Sequence, residues 1–267
     1  MDRGCHLSAM AELDRIRVFP VKGFDGIDVR AADVLAGGTI EGDREFAFFD
    51  ADGTVLNGKR SALVHELDVD FDPSTGTLTV ETPHGETEQF DLSRDAARAE
   101  AWFGDYFDAD LSLRSDEDRG FVDRREMGPS VVSTATLETI ATWFEELTVD
   151  GARRRLRANL EISGVPAFWE DRFVGDDAPA FEIGGVRFEG VTSCGRCVVP
   201  GRDPDTGAVT PNFREQFVEK RRETFPEWAD PSDFEHFFTA MLIAEVPERD
   251  RGRRLRVGDG VRILDTA

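Results

Sequence analysis

The chain of 267 residues is long enough for one large domain or for two domains that share an interface. Its 40% hydrophobic and 32% charged residues are typical of a globular protein in water, and no apolar run reaches the about 18 residues of a membrane-spanning helix. The formal net charge of −22 repels phosphate backbones, so nucleic-acid binding is disfavoured.

The first ten residues, MDRGCHLSAM, have no apolar stretch of the kind found in secretory signals, which favours a cytoplasmic location, and Met10 is a second candidate start. Of the 32 cationic side chains only three are lysines: Lys22, Lys59 and Lys220. An acidic composition with arginine in place of lysine is similar to that of proteins from extreme halophiles. Each lysine is informative here, because incidental surface lysines are so rare.

From Leu13 to about Leu92, short segments of alternating polarity are separated by turn residues, which predicts a β-rich unit with hairpin turns at DADG and DPSTG. Two helices are predicted next, one over residues 93–107 with Ser93 at its N-cap and one over residues 133–147. Apolar residues at helical spacing predict the buried face of the second helix. They are Leu137, Ile140, Ala141, Phe144 and Leu147.

The rest of the chain, from RRRLRANLEI to the closing RLRVGDGVRIL, predicts mainly strands, with one further helix in FREQFVEKRR. Many short strands with few helices predict an α+β, predominantly β protein with barrel-like closure, since closure removes exposed strand edges. The linker-like segment RSDEDRGFVD predicts a boundary between a first domain over residues 12–118 and a second over residues 119–267.

Two of the three cysteines, Cys194 and Cys197, lie three positions apart in VTSCGRCVVPGRDPDTGAV. A thioredoxin-like redox pair would stand at a helix N-terminus, whereas β-branched residues and Pro-Gly follow here. The two thiols could instead pack as small hydrophobic groups. Alternatively, one thiolate is the single protein ligand of a metal held by an organic cofactor, with Arg196 keeping the thiol ionised. A closed zinc site would need two further ligands. The candidates for these are Cys5, His6, His65, His84 and His236.

The segment SCGRCVVPGRDPDTG resembles the signature of the MOSC family, named after the molybdenum cofactor sulfurase C-terminal domain. Within the family it is similar to the two-domain group that includes the mitochondrial amidoxime-reducing component. Further segments resemble that group in the same order: IRVFPVKGFDG, EGDREFAFFDADGTVLNGKR, RRRLRANLEISG, FWEDRF and LRVGDGVRIL. The resemblance implies an N-terminal MOSC β-barrel domain followed by a MOSC domain, with molybdenum-molybdopterin as the cofactor. Pyridoxal phosphate binding is associated only with the wider superfamily.

Residue by residue, the resemblance makes Cys197 the molybdenum ligand and the catalytic residue, and it implies a set of cofactor contacts. These are Lys22, Arg44 and Arg157 at the cofactor phosphate, with Lys59, Asn159 and Arg196 as further contacts. The competing interpretation of Lys22 and Arg44 is that they form ordinary surface ion pairs. For Arg157 it is that the segment RRRLR is a solvated run of charges. The sequence departs from the family pattern at Gly23, where Ser is usual, and at Ala158, where Pro is usual.

The resemblance implies reduction of N-oxygenated compounds such as hydroxylamines, amidoximes or N-hydroxylated bases. Three cysteines are too few for a four-cysteine iron-sulfur cluster, so the electrons are expected from a separate donor protein such as a ferredoxin or a reductase. The alternative hypothesis is a non-catalytic carrier that delivers the molybdenum cofactor, or a sulfur atom on Cys197, to other enzymes.

The acidic composition predicts that stability depends on salt, because 54 acidic side chains against 32 cationic ones repel one another unless ions screen them. We expect the Tm to rise between dilute buffer and molar KCl, as measured by thermal unfolding. An unchanged Tm over that range would contradict this expectation.

Overall fold

The computed structural model describes residues 10–124 and 127–264. The first half contains β1 (Glu12–Val18), β2 (Ile27–Val29), β3 (Ala31–Asp33), β4 (Phe46–Phe49), β5 (Asp68–Asp72), β6 (Thr77–Glu81), β7 (Thr87–Asp91), α1 (Ala96–Phe107) and β8 (Ser112–Ser115). The second half contains β9 (Ser130–Ser133), α2 (Thr134–Ala141), α3 (Val149–Leu156), β10 (Leu160–Ser163), β11 (Phe181–Ile183), β12 (Val186–Gly195), α4 (Phe213–Glu223), β13 (Thr239–Glu245), β14 (Arg254–Arg256) and β15 (Val261–Ile263). Short 3₁₀ helices lie at Ala62–Glu66, Trp169–Phe173, Val199–Gly201, Pro231–Asp233 and Glu248–Asp250. The predicted α+β class with a majority of strands is confirmed.

The largest sheet has eight strands in the order β15-β11-β12-β13-β9-β10-β1-β2. Only β9 and β10 run parallel; the other neighbours are antiparallel. The start of β1 also bonds the chain beside β15, since Leu13 N donates to Asp259 O and Val261 N donates to Ala11 O, both at 2.8 Å. The β15 end of the sheet therefore curls round to β1, next to the opposite edge, which confirms the predicted barrel-like closure.

The two halves of the chain are interleaved in this architecture. Strands β1 and β2 belong to the large sheet, although they precede the predicted boundary. Strand β14, near the end of the chain, pairs with β3. The division at residue 118 stays a prediction, and the sheet pairing shows that β1 and β3 pair with strands of the second half.

The first half has its own aromatic core under helix α1. The ring of Phe103 lies 4.6 Å from that of Phe48, 5.3 Å from Phe24 and 5.8 Å from Phe90. These rings connect the β4-β8 pair to the three-stranded sheet β5-β6-β7. Each buried aromatic side chain contributes about 1.5–3 kcal/mol to folding. Side chains from the loops between β1 and β5, such as Phe24 and Val64, pack in the same core as this helix.

Helix α1 ends at Phe107 as predicted but begins at Ala96, later than the predicted N-cap Ser93. The reason is local, because the carboxylate of Asp91 accepts hydrogen bonds from the backbone N–H groups of Ser93 and Arg94, each at 3.1 Å. That turn delays the first helical residue.

The second predicted helix, over residues 133–147, is shorter than the periodicity indicated. Helix α2 ends at Ala141, while Phe144 and Leu147 pack against the same apolar cluster from the following loop. Thr148 then caps a separate helix, α3, which contains the arginine run. In the segment RRRLRANLEI, which was grouped with the strands of the second half, RRRL belongs to α3 and the strand β10 starts at Leu160. The helix predicted in FREQFVEKRR is confirmed as α4.

A buried charged cluster joins α4 to the 3₁₀ helix at Trp169–Phe173. The guanidinium of Arg221 pairs with Asp171, and both side chains are almost fully buried. The neighbouring Glu170 accepts a hydrogen bond from Ser133 N at 3.2 Å. Burial raises the pKa of Glu170 to about 8, with a further contribution from the charge of Asp171. Glu170 is therefore a protonated acid in the folded protein at neutral pH.

The Glu170 pKa predicts a specific pH dependence of stability. The folded state holds a proton that the unfolded state releases near pH 4.5, so stability falls as pH rises from about 5 and levels off above about 8. We expect Glu170→Gln to remove this loss, which amounts to up to about 4 kcal/mol. Urea unfolding of both proteins from pH 5 to pH 9 checks it. Parallel stability curves would contradict the assignment.

Candidate functional site

A cavity of about 540 Å³ lies between the loops of the first half and the large sheet. The residues predicted to bind the cofactor all line it. They are Lys22, Arg44, Lys59, Arg157, Asn159, Arg196 and Cys197. The structure thus brings together residues from distant parts of the sequence, and their roles there remain predictions.

The cavity wall is strongly positive in a protein with a net charge of −22. Nine cationic side chains line it against four carboxylates, a local excess of five positive charges. The cations are Lys22, Arg44, Lys59, Arg124, Arg154, Arg155, Arg157, Arg196 and Arg202, and the acids are Asp25, Asp43, Asp68 and Asp123. Such a cavity is suited to a ligand that carries negative charge.

Arg44 and Arg157 share one aromatic surface. Their guanidinium carbons lie 4.9 and 4.0 Å from the centre of the Phe19 ring. Both residues have left-handed backbone conformations, with φ of 56° and 60°. Burial, with help from the nearby charge of Arg44, lowers the pKa of Arg157 to about 10, so Arg157 remains charged at neutral pH. The Phe19 ring stabilises two cations that would otherwise repel each other.

The arginine run on α3 is not a solvated charge run. Arg154 donates to Asp25 Oδ2 at 2.7 Å and to Asp205 Oδ1 at 2.6 Å, and so connects the loop after β1 with the Asp-Pro-Asp-Thr-Gly turn. Arg155 donates to Pro200 O at 3.0 Å and to Thr210 Oγ1 at 3.2 Å. These two side chains fix both ends of the segment that follows Cys197.

Asn159 lines the cavity but uses most of its amide group within the protein. Its Oδ1 accepts from Ser130 N at 3.1 Å and from Ser130 Oγ at 3.0 Å, while its Nδ2 donates to Arg17 O at 3.2 Å. These bonds hold β9, β10 and β1 together, and they leave one amide hydrogen for a ligand.

The two cysteines differ in their surroundings. Cys194 lies on β12 and accepts a hydrogen bond from the Arg196 guanidinium at 3.1 Å. The same guanidinium donates to Leu156 O at 2.9 Å. Cys197 lies two residues beyond β12, is partly buried and is a free thiol. Arg196 was expected to act on Cys197, but the structure places its guanidinium on Cys194.

The geometry bears on the other interpretations of the cysteine pair. Within residues 10–124 and 127–264 no group of three or more His, Cys, Asp or Glu side chains is arranged to hold a metal ion, so zinc finds no closed site there. Cys5 and His6 lie outside the described residues. Cys194 lies in the strand β12, and Cys197 lies between that strand and a 3₁₀ helix of three residues, unlike the helix N-terminus of a thioredoxin-like motif.

His65 is a cavity residue that the sequence suggested only as a zinc ligand. Its Nε2 is buried without a hydrogen-bond partner. Burial lowers the pKa of His65, and the charges of Arg157 and Arg202 act in the same direction. The ring is therefore neutral at pH 7. No sequence signal could have placed it here, since it depends on the fold of the loop before β5.

Family models match the chain as the MOSC N-terminal beta barrel domain over residues 10–148 and as the MOSC domain over residues 124–262. The chain therefore belongs to the MOSC family. MOSC domains are associated with molybdenum cofactor binding. No curated protein matches the chain significantly. Within the described residues, no helix combines the length and the apolar character needed to cross a bilayer.

The residues present fit a molybdenum cofactor. Such a group offers a metal to a thiol and a phosphate to cations, and the cavity has both a free Cys197 and an excess of positive charge.

The Gly23 departure from the family pattern has a structural cause. Its φ is +101°, and a Cβ there would lie 3.0 Å from Leu56 O and 3.1 Å from Asn57 Cα. Both backbone conformation and space favour glycine at this position. The loop that presents Lys22 can pass this close to residues 56 and 57 because position 23 has no side chain.

We expect Gly23→Ser to destabilise the protein by about 2 kcal/mol, because it combines backbone strain with a backbone clash. Gly53→Ser is the matched control, since Gly53 has φ of +75° but no atom within 4 Å of the added Cβ. It should cost about 1 kcal/mol, the backbone part alone. Urea unfolding in high salt measures both; equal losses would show that the Leu56 contact contributes nothing.

Proposed function

We propose that the protein binds molybdenum-molybdopterin in this cavity and reduces N-oxygenated compounds, as in the amidoxime-reducing group of the family. The observation that supports the proposal most directly is the free thiol of Cys197 in a cavity with five excess positive charges. A thiolate suits a metal already coordinated by sulfur, and the cations suit a terminal phosphate. Hydroxylamines, amidoximes and N-hydroxylated bases are the proposed substrates.

Each residue has a distinct part in this proposal. Cys197 would be the protein ligand to the metal. Arg44 and Arg157, held on the Phe19 ring, would bind the phosphate together with Lys22. Arg196 positions the segment between β12 and Cys197 by its bonds to Cys194 and Leu156 O.

The bound cofactor would supply the two-electron chemistry that cleaves the N–O bond, with two electrons and two protons converting a hydroxylamine to an amine and water. The electrons would come from a separate donor protein. The chain's own contribution is to bind and orient the cofactor and the substrate. The cavity lining includes the apolar side chains of Val64, Leu67, Val69 and Ile243, which can exclude water from the apolar part of a substrate.

The thiols provide the test of this function. Cys197→Ser should lose nearly all molybdenum and activity, because serine is a poor ligand for a soft site. Cys194→Ser is the matched control and should retain most of both, since its hydroxyl can still accept the bond from Arg196. Metal analysis and hydroxylamine reduction with an artificial electron donor measure the result, on protein made in high salt by a host that synthesises molybdopterin.

Two outcomes would contradict the proposed function. Equal losses in both variants would indicate a site that uses two thiols. Molybdenum-free wild-type protein with an added sulfur atom on Cys197, detected by mass, would indicate the carrier alternative.

A further inference from the structure

One carboxylate bridges the two lysines of the cavity. Lys22 Nζ lies 2.5 Å from Asp123 Oδ1, and Lys59 Nζ lies 2.9 Å from Asp123 Oδ2. Each oxygen of Asp123 therefore serves one ammonium group. These are two of only three lysines in the chain, in a cavity whose other cations are arginines.

Lys22 has a second partner besides Asp123, and Lys59 is held through its backbone. Lys22 Nζ also donates to Phe121 O at 2.5 Å, and only 12% of its side chain is exposed. The backbone N–H of Lys59 is held by Asn57 Oδ1 at 3.0 Å. Lys22 lies in the loop between β1 and β2, and Lys59 lies between β4 and β5. Both side chains line the cavity, so both ammonium groups would face an anion in it if Asp123 moved away.

The Asp123 side chain is more exposed to solvent than either lysine, so it can move away from them into water. Its side chain is 60% exposed, the largest exposure among the three partners. Burial alone would raise its pKa, but the hydrogen bonds and charges of Lys22 and Lys59 outweigh that effect and lower it. The carboxylate is therefore always ionised at neutral pH. On release it regains hydration, which offsets part of the ion-pair energy that it loses.

We propose that Lys22 and Lys59 form an exchangeable anion site, which the Asp123 carboxylate occupies in the cofactor-free protein and which a phosphate group takes by displacing it. The inference rests on the proposed function only in naming the cofactor's phosphate as the physiological occupant. A phosphate carries more charge and more acceptor oxygens than a carboxylate, so it competes effectively for two ammonium groups. Asp123 then lowers the apparent affinity of the cavity for phosphate by the fraction of time that it holds the site.

The test measures pyrophosphate binding to cofactor-free protein by calorimetry, at one fixed KCl concentration. Asp123→Asn should bind pyrophosphate about tenfold more tightly than the wild type, as expected if the site is free about a tenth of the time in the wild type. Asp68→Asn is the matched control, because it also removes one carboxylate from the cavity wall but leaves the lysine bridge intact. It should change the Kd less than about threefold, by long-range charge alone.

Two further variants distinguish phosphate binding at the two lysines from a general charge effect and from loss of the fold. Asp123→Asn with Lys59→Gln should lose most of the gain, because the second ammonium group is missing. Asp123→Ala should reproduce the gain if Asp123→Asn proves unstable, and thermal unfolding of each variant without ligand establishes that it is folded. A Kd for Asp123→Asn no lower than that for Asp68→Asn would overturn the proposal, and so would a gain that survives Lys59→Gln.

The result is independent of the molybdenum experiment. Pyrophosphate binding is read without metal, so a gain in Asp123→Asn would stand even if wild-type protein never acquired molybdenum. Conversely, a protein that is loaded with molybdenum through Cys197 but shows no gain would keep its proposed function and refute the exchange. Repeating the titration with inorganic phosphate tells whether a single phosphoryl group is sufficient for the effect.

Discussion

Nine cationic side chains converge on one cavity of a protein whose net charge is −22, and much of the structure serves to hold them there. Like charges at this density repel unless each has a partner. The protein supplies partners of three kinds: carboxylates such as Asp25 and Asp123, backbone carbonyls such as Leu156 O, and the face of Phe19. These partners leave a local excess of five positive charges, and an anionic ligand can bind to that excess.

The same partners position the cysteine segment. Arg154 and Arg155 on α3 hold the turn at Asp205 and the residues around Pro200, while Arg196 attaches the end of β12 to the end of α3. Both the cavity charge and the position of Cys197 therefore depend on where α3 ends. The left-handed Arg157 ends that helix and turns its own side chain toward Phe19.

The sequence identified the cavity residues that lie in local motifs, because Lys22, Arg44 and Arg196 each stand in a short segment similar to one of the family. It could not identify partners that are brought together only by folding. Asp123 is 101 residues from Lys22, and Asp25 is 129 residues from Arg154. The break between α2 and α3 was missed for a related reason, since Phe144 and Leu147 keep the apolar periodicity after the helix has ended.

The same distribution of charge bears on which of the two thiols would be the metal ligand. Arg196 directs its guanidinium back to Cys194 and Leu156 O, so the thiol nearest in sequence to a cation, Cys197, is not the one that the cation contacts. Cys194 already has a donor and packs against the apolar cluster of α2 and α4. Cys197, beyond the last residue of β12, has neither constraint. The Cys197 thiol would therefore be the more available of the two for a metal that needs one protein ligand. This is the physical reason to expect Cys197→Ser and Cys194→Ser to differ.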